Sequence, residues 1–250
     1  MVKGKYVLER GFIMDFPRYS EVTDKNKREI LLLKGSPCKW GRCKFCDYIL
    51  DNSTDIENNI KINNIELDKV TGKYGVLEVI NSGSVFELPK ETLYRIKKIV
   101  NTKNIKKLIF EAHWIYRNKL DELREFFNVP IIYKLGIETF DNEFRNNILN
   151  KGIVINSPED VSKYYDSICL MVGIKGQNKE SIDRDIDYLL KYFKKGCINL
   201  WIENSTSFKR DSELINWFKE KYYYLEENEN IEILWNNTDF GVGGENNAKN

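Results

Sequence analysis

Residues 30–46 read ILLLKGSPCKWGRCKFC, a short apolar run followed at once by a loop with three cysteines. The apolar run, residues 30–33, has the length and composition of a buried strand. The loop places Cys38, Cys43 and Cys46 in a C-x4-C-x2-C spacing, and Gly41 permits a tight turn between the first two. Three thiols this close can ligate one metal ion or one iron–sulfur cluster. The segment therefore predicts a strand that carries a metal-binding loop at its carboxyl end.

Similar apolar runs recur along nearly the whole chain and alternate with segments of helical spacing. Candidate strands cover residues 30–33, 76–80, 107–110, 131–137, 168–172, 198–202 and 231–234. In the intervening segments, such as 181–193, apolar residues fall on one helical face. This alternation predicts an α/β protein whose parallel strands are joined by right-handed crossovers, in either an open doubly wound sheet or a barrel.

Polar residues follow the carboxyl ends of most candidate strands. They occupy positions 81–84, 111–113, 138–139, 203–204 and 236–237. Because the carboxyl ends of parallel strands meet at one edge, active sites in such folds gather there. We expect the functional site at this edge, beside the cysteine loop.

The composition excludes several classes of protein. With 39 Lys and Arg against 38 Asp and Glu, a net charge of +1 and 13% aromatic residues, the chain is neither disordered nor suited to strong nucleic-acid binding. No apolar run approaches the roughly 18 residues of a membrane span, and no signal peptide is recognisable, so we expect a cytoplasmic protein without a membrane. We predict one domain over residues 1–250, with an N-terminal extension (1–28), a core (29–204) and a C-terminal helix, strand and tail (205–250).

Five cysteines, an odd number, argue against a disulfide framework in a cytosolic protein. Cys169 and Cys197 lie in apolar stretches and are predicted to be buried small hydrophobic residues. For the other three there are three interpretations. A zinc site would need His113, the sole histidine, or a distant cysteine as its fourth ligand. A plant-type ferredoxin site would need a fourth cysteine nearby and a small β-rich fold. A 4Fe–4S cluster with three cysteines would leave one iron open.

The third interpretation resembles the radical SAM superfamily, and further motifs resemble it in the expected order. Residues 81–86, NSGSVF, are similar to the superfamily's Gly-rich loop. Residues 135–139, LGIET, with the later 150–152, NKG, resemble another of its stretches, and residues 173–180, GIKGQNKE, resemble a third with altered spacing. Most members carry C-x3-C-x2-C, so the additional residue between Cys38 and Cys43 is a departure. The resemblance covers roughly residues 29–204.

The resemblance implies a partial (β/α)6 TIM-type barrel with a 4Fe–4S cluster at its C-terminal mouth, held by Cys38, Cys43 and Cys46. It also implies that the open iron binds S-adenosylmethionine (SAM) and that a reduced cluster cleaves SAM to a 5′-deoxyadenosyl radical. An external donor such as flavodoxin or ferredoxin would supply the electron. The residues implied in binding SAM are Trp40, Phe45, Asn81, Ser82, Gly83, Ser84, Glu138 and Gly173.

Residues at the remaining strand ends are candidates for acting on the substrate. The catalytic candidates are Glu111, His113 and Lys134, and the substrate-binding candidates are Trp114, Trp201, Glu203 and Asn204. Several have a structural alternative, because Trp201 can fill the core, His113 can be a satisfied structural histidine, and Lys134 can pair with a carboxylate. The glycine-containing tail, residues 236–250, could close over the barrel mouth or be disordered.

The small size favours a small-molecule substrate. A compact chain with this variant loop resembles the queuine lyase subgroup, which converts queuine to 7-aminomethyl-7-deazaguanine (preQ1) in queuosine precursor salvage. A carboxylate and an aromatic face would suit such a base. Two alternatives remain open: an activase of a glycyl-radical enzyme, whose substrate is a protein, and a non-catalytic zinc or iron–sulfur module.

Overall fold

Within residues 16–243, eight strands form one sheet in which each strand pairs with the one before it in the chain. The computed structural model of the protein describes residues 16–243. The strands are β1 (Tyr19–Val22), β2 (Arg28–Leu33), β3 (Val76–Asn81), β4 (Lys107–Glu111), β5 (Ile131–Glu138), β6 (Ser167–Val172), β7 (Lys195–Leu200) and β8 (Ile231–Leu234). β1 is antiparallel to β2, and all later neighbours are parallel.

Helices connect the parallel strands. They are α1 (Ile56–Leu67), α2 (Lys90–Thr102), α3 (Leu120–Phe127), α4 (Pro158–Ser162), α5 (Lys179–Tyr192) and α6 (Ser212–Tyr222). Side-chain caps fix where several begin. Asn178 accepts from Ser181 N at 2.8 Å before α5, and Asp211 accepts from Leu214 N at 3.0 Å before α6. Such caps satisfy backbone N–H groups that have no partner within the helix.

The two faces of the sheet differ in chemistry because successive side chains of a strand point to opposite sides. One face packs on the helices and carries the main hydrophobic core, with Leu77, Leu108, Leu135, Ile168 and Ile198 among its members. The other face is rich in polar and ionisable side chains. We call the space that this second face encloses the lumen.

The sheet curls so far that its first and last parallel strands meet. Arg28 on β2 donates to Glu232 on β8 at 2.6 Å. The gap between β1 and β8 is covered by residues 237–243, which we call the seam. Gly243 N donates to Pro17 O at 2.9 Å, and the ring of Phe240 lies 4.7 Å from the Arg28 guanidinium carbon. The sheet is therefore a half-barrel closed along one side.

The predicted fold class, a partial TIM-type barrel, is confirmed, with seven parallel strands in place of six. The seven predicted strands correspond to β2–β8. The sequence missed β1, whose residues YSEV have no alternating apolar pattern. The prediction that the tail could cover the mouth does not fit its described part, which closes the side instead. Residues 1–15 of the predicted N-terminal extension and 244–250 of the tail lie outside the described residues.

Candidate active site

The cysteine loop, residues 38–46, follows β2 and lies at the end of the lumen where the parallel strands have their carboxyl ends, which we call the mouth. Cys38, Cys43 and Cys46 are half-buried, free thiols. Gly41 adopts a φ of 54° and its amide donates to Cys38 Sγ at 3.4 Å, so the predicted tight turn is present. Burial raises the pKa of Cys43 to about 11, against the opposing charge of Lys151.

The donor set of the loop fits an iron–sulfur cluster. Within residues 16–243, no three His, Cys, Asp or Glu side chains converge on the centre of a single metal ion. The ligands of a 4Fe–4S cubane need not converge on one point, since each thiolate binds a different iron. Cys38, Cys43 and Cys46 supply the soft thiolates that such clusters take. Three thiolates leave one iron for a further ligand.

Contacts to two other strand-end loops hold the cysteine loop in place. Trp40 Nε1 donates to Asn150 O at 2.8 Å, beyond β5. Asn204 Nδ2, beyond β7, donates to Phe45 O at 2.8 Å. Asn204, a predicted substrate-binding residue, thus anchors the cysteine loop. Close packing of Trp40 also requires glycine at position 152 of the NKG stretch, because a Cβ there would lie 2.1 Å from the Trp40 ring.

Glu87 joins the cysteine loop to the Gly-rich loop after β3. Its carboxylate accepts from Lys39 N at 3.1 Å and from Ser84 N. Asn81 Nδ2 donates to Ser84 O at 3.1 Å, which closes the Gly-rich turn. A Cβ at Gly83 would lie 2.8 Å from Glu87 Oε2 and 3.4 Å from Cys38 Cβ, so a side chain here would push the Glu87 carboxylate from its place beside Ser84 N. Glu87 was not predicted, because only its place three residues after Ser84, as in a capping box, marks it in the sequence.

A second carboxylate that the sequence did not reveal supports the same loop. Asp51 forms ion pairs with Arg18 and with Lys34, the latter at 3.0 Å. Ser82 Oγ lies 3.4 Å from Asp51 Oδ2, and Ser82 O accepts from Asn52 Nδ2 at 3.2 Å. The predicted SAM-binding residues 81–84 are therefore held from two sides.

Glu138 ends β5 in an unusual backbone conformation beside the cysteines. It follows a β-bulge and has a φ of 68°, which is uncommon for a residue with a side chain. Lys151 Nζ donates to Glu138 Oε1 at 2.6 Å. Although burial opposes the ammonium charge of Lys151, Glu138 and Cys43 hold its pKa above the usual range. The ion pair therefore faces the thiols as a charged unit.

Glu111 ends β4 inside the lumen and stands apart from these pairs. Its carboxylate makes no hydrogen bond or ion pair within residues 16–243. Burial is the main cause that raises the pKa of Glu111 to about 7, with Glu78 and Glu138 adding to it and Lys134 and Lys151 opposing it. A carboxyl group of this kind can hold or release a proton near neutral pH.

Lys134, a predicted catalytic residue, belongs to an ion network at the bottom of the lumen, which we call the floor. Lys134 Nζ donates to Glu78 Oε1 at 2.5 Å, and Glu78 also accepts from Arg28. Arg28 in turn donates to Glu232. Despite burial, Glu78 raises the pKa of Lys134 above its usual value. The ammonium is already engaged, as the structural alternative anticipated.

Below the floor, a cavity of about 150 Å³ opens at the amino ends of the strands. Its lining includes Lys107, Ile132 and Lys195. This cavity is on the opposite side of the floor from the cysteine loop. It does not belong to the candidate site.

His113 has partners on both ring nitrogens and is stacked on Trp40. Its Nε2 lies 3.0 Å from Lys151 O, and its Nδ1 accepts from Ile115 N at 3.3 Å. Because a carbonyl only accepts, Nε2 carries the proton. Burial, with some help from Lys151, lowers the pKa of His113 to about 4. The ring is neutral, lies 5.7 Å from the Trp40 ring centroid and positions the cysteine loop.

Trp201 is the predicted aromatic residue that reaches the lumen. It follows β7, is 5% exposed and packs edge-to-face on Phe45 with centroids 6.3 Å apart. Its buried Nε1 has no hydrogen-bond partner in the part of the chain that the structure describes. Burying a polar group without a partner is costly, so a ligand that accepts from this N–H would be stabilised.

Three other predicted site residues lie away from the lumen or are already engaged. Trp114 is buried in the main core and packs edge-to-face on Tyr164, so the substrate-stacking role predicted for it does not fit its position. Glu203 accepts from Arg210 N at 3.0 Å within its own exposed loop. Gly173, with a φ of 94°, donates from its amide to Gln177 Oε1 at 2.9 Å and forms the turn after β6.

Tyr48 is a mouth residue that the sequence analysis missed. It follows the last cysteine closely, and its side chain is 56% exposed. Partial desolvation raises the pKa of Tyr48 although the side chain is largely exposed, and the charges of Cys46, Asp47, Glu111 and Glu138 add to the shift. The hydroxyl therefore lies within the field of Glu111 and Glu138, at the entrance to the lumen.

No family model matches this chain. The chain is 30% identical over 191 residues to an uncharacterized protein of Methanocaldococcus jannaschii, across 67% of this chain and 52% of that protein. It thus spans about half the length of this curated relative. Among solved structures, the queuine lyase from Clostridium spiroforme bound to SAM and queuine is 55% identical, with a TM-score of 0.90. The match covers 92% of this chain and 100% of that one.

No helix within residues 16–243 combines the length and the apolar character that crossing a membrane requires.

Proposed function

This chain belongs to the queuine lyase family of the radical SAM superfamily, and we propose that it converts queuine to preQ1 with SAM as the source of the radical. The observation that carries the proposal is the 55% identity to the queuine lyase from Clostridium spiroforme over the whole of that chain. At this identity, both the fold and the site chemistry are expected to be shared. The cysteine loop at the mouth of the lumen agrees with the proposal.

The cofactor sites are proposed from the residues at the mouth. Cys38, Cys43 and Cys46 hold a 4Fe–4S cluster, and the Gly-rich loop with Glu138 binds SAM beside it. When bound, the cluster supplies the electron that cleaves SAM to a hydrogen-abstracting radical. Glu87 and Asp51 keep the Gly-rich loop in register with the cysteine loop.

Glu111 is proposed to supply the proton for C–N bond cleavage. The amine of queuine leaves as the primary amine of preQ1, so its nitrogen must gain a proton. Glu111 lies inside the lumen with a pKa raised to about 7, and no described residue occupies its carboxyl group. A group whose pKa is near the working pH is an efficient general acid.

The remaining lumen residues orient the ligands and exclude water. The Trp201 N–H is free to bind an acceptor on a ligand, and Tyr48 stands at the entrance. The floor network and Phe240 close the lumen from below and from the side. A closed lumen protects a reactive radical from side reactions. We place the reaction in the cytoplasm, with flavodoxin or ferredoxin as the electron donor.

The experiment is anaerobic reconstitution with iron and sulfide, followed by incubation with SAM, a reductant and queuine. We expect a brown protein, release of 5′-deoxyadenosine, loss of queuine and formation of preQ1. SAM cleavage without loss of queuine would remove the proposed substrate and leave the family intact. A colourless, zinc-loaded protein that does not cleave SAM would indicate the non-catalytic module.

A further inference from the structure

Two thiols that the cofactor sites do not use lie side by side in the lumen. Cys169 on β6 and Cys197 on β7 are register partners, 7% and 2% exposed. The sequence correctly predicted that both are buried. Their neighbours in the chain, Ile168 and Ile198, point to the main core, so the cysteines point the other way. They face the lumen, where they contact Leu234.

Cys169 is close to the proposed SAM site because the residue beside it has no side chain. Its register partner on β5 is Gly136. A Cβ at Gly136 would lie 2.6 Å from Glu138 Oε1 and 3.2 Å from Lys151 Nζ. The Glu138–Lys151 pair therefore occupies the space above this glycine, next to the Cys169 thiol.

Other groups of the site bound the same space. The Cys197 thiol lies beside Cys169, and the charges of Lys134 and Glu111 also act on the Cys169 thiol. Cys197 Sγ in turn donates to Asn199 Oδ1 at 3.3 Å. The Cys197 thiol is thus engaged by Asn199, whereas Cys169 is the thiol on which the charge of Glu111 acts.

A thiol in this position has a chemical consequence. An S–H bond is weaker than an alkyl C–H bond, so a thiol gives a hydrogen atom readily to a carbon radical. A purely structural small residue beside a radical reaction would better be Ala, Ser or Val, none of which donates easily.

We propose that Cys169 is a catalytic residue that gives a hydrogen atom to the carbon radical left when the amine departs. The proposal rests on the proposed function, because that reaction leaves such a radical on the carbon fragment. A C–H bond forms, the Cys169 S–H bond breaks, and a thiyl radical results. One electron, from the low-potential one-electron donor that also reduces the cluster, and one proton from solvent restore the thiol. One SAM is consumed for each preQ1. Cys197, the register partner of Cys169, packs beside that thiol.

The test uses the full-length, cluster-loaded enzyme and Cys169→Ser, which keeps the size of the side chain but has an O–H bond too strong to donate. We expect this variant to release 5′-deoxyadenosine normally in the first turnover and to stop after roughly one preQ1 per enzyme. An organic radical should accumulate in its electron paramagnetic resonance spectrum and not in that of the wild type. Ser167→Ala, on the same face of β6, is the matched control and should turn over normally.

A second measurement does not depend on the variant folding. In deuterated water the thiol exchanges its hydrogen, whereas the methyl group of 5′-deoxyadenosine does not. The wild-type carbon fragment should gain one solvent deuterium beyond the exchange seen when the fragment alone is incubated. A fragment without this deuterium, or sustained turnover by Cys169→Ser, would overturn the role of Cys169. Wild-type enzyme that never consumes queuine would instead count against the proposed function.

Discussion

The mouth and the floor of the lumen use the same kinds of ionisable residue in opposite ways. At the floor, Lys134 donates to Glu78 at 2.5 Å and Arg28 donates to Glu232 at 2.6 Å, so each charge is balanced within the protein. At the mouth, Glu111 is half-buried and has no partner among residues 16–243. Charge and burial alone therefore do not identify a functional group. A functional group is identified by a polar side chain for which the described residues provide no hydrogen-bond or ion-pair partner.

The largest expected effect is the loss of a cluster ligand at the mouth. Cys43→Ala should give a colourless protein after reconstitution and abolish both SAM cleavage and preQ1 formation, because the cluster loses a thiolate. Iron content and the visible spectrum measure this. Cys197→Ala is the control, because Cys197 is a buried cysteine on β7 that is not a proposed cluster ligand. This variant should still be brown after reconstitution. Normal SAM cleavage by Cys43→Ala would mean that the ligands are misassigned.

Glu111→Gln tests the carboxyl group at the mouth that has no partner among the described residues. If Glu111 is the proton donor, turnover of queuine should fall by roughly 10²–10⁴, while the unfolding midpoint changes little. In the wild type, turnover should decrease as the pH rises above about 7, since the acid form is lost through that pKa. Product formation across pH measures both. Wild-type turnover by Glu111→Gln would exclude the proton-donor role.

Glu78→Gln is the matched change at the floor. It removes the carboxylate shared by Arg28 and Lys134 and leaves two buried charges uncompensated, so we expect a loss of about 3–5 kcal/mol in the free energy of unfolding. Chemical denaturation measures this loss. The fraction that remains folded should still cleave SAM. An equal loss of stability in Glu78→Gln and Glu111→Gln would erase the distinction between floor and mouth.

Trp201→Phe should have the smallest effect. It removes an N–H group that has no partner in the described structure and keeps most of the ring packing on Phe45, so unliganded stability should change by less than about 1 kcal/mol. The stabilisation produced by adding SAM and queuine should shrink. Thermal unfolding with and without ligands measures both. A large loss of stability without ligands would instead make Trp201 a purely structural residue.

The sequence predicted the parallel strands because each carries a continuous apolar run, and it predicted the cysteine loop because three thiols lie within one turn-forming segment. It could not predict β1, whose pairing with β2 depends on tertiary contacts such as the hydrogen bond from Tyr19 OH to Glu29 at 2.9 Å. Antiparallel edge strands with polar sequences carry little local signal.

Within the candidate site, the sequence identified the strand ends but not what each side chain meets there. Trp114 and Trp201 both follow predicted strands, yet one enters the core and the other reaches the lumen. Lys134 and Glu111 both face the lumen, but Lys134 is paired with Glu78 and is structural. Glu111 has no such partner among the described residues. Such differences arise from contacts between distant segments. The hydrophobic periodicity and residue spacing of one segment cannot predict these contacts.

The seam has a consequence for the order in which the molecule folds. Every strand pairs with its predecessor, so the sheet can grow as the chain emerges from the ribosome. The seam joins positions 17 and 243, whose contact closes nearly the whole length of the described chain. Contacts between distant positions form slowly because a large loop must first be closed. The lumen is therefore sealed late, and until then a nascent half-barrel stands open along its side.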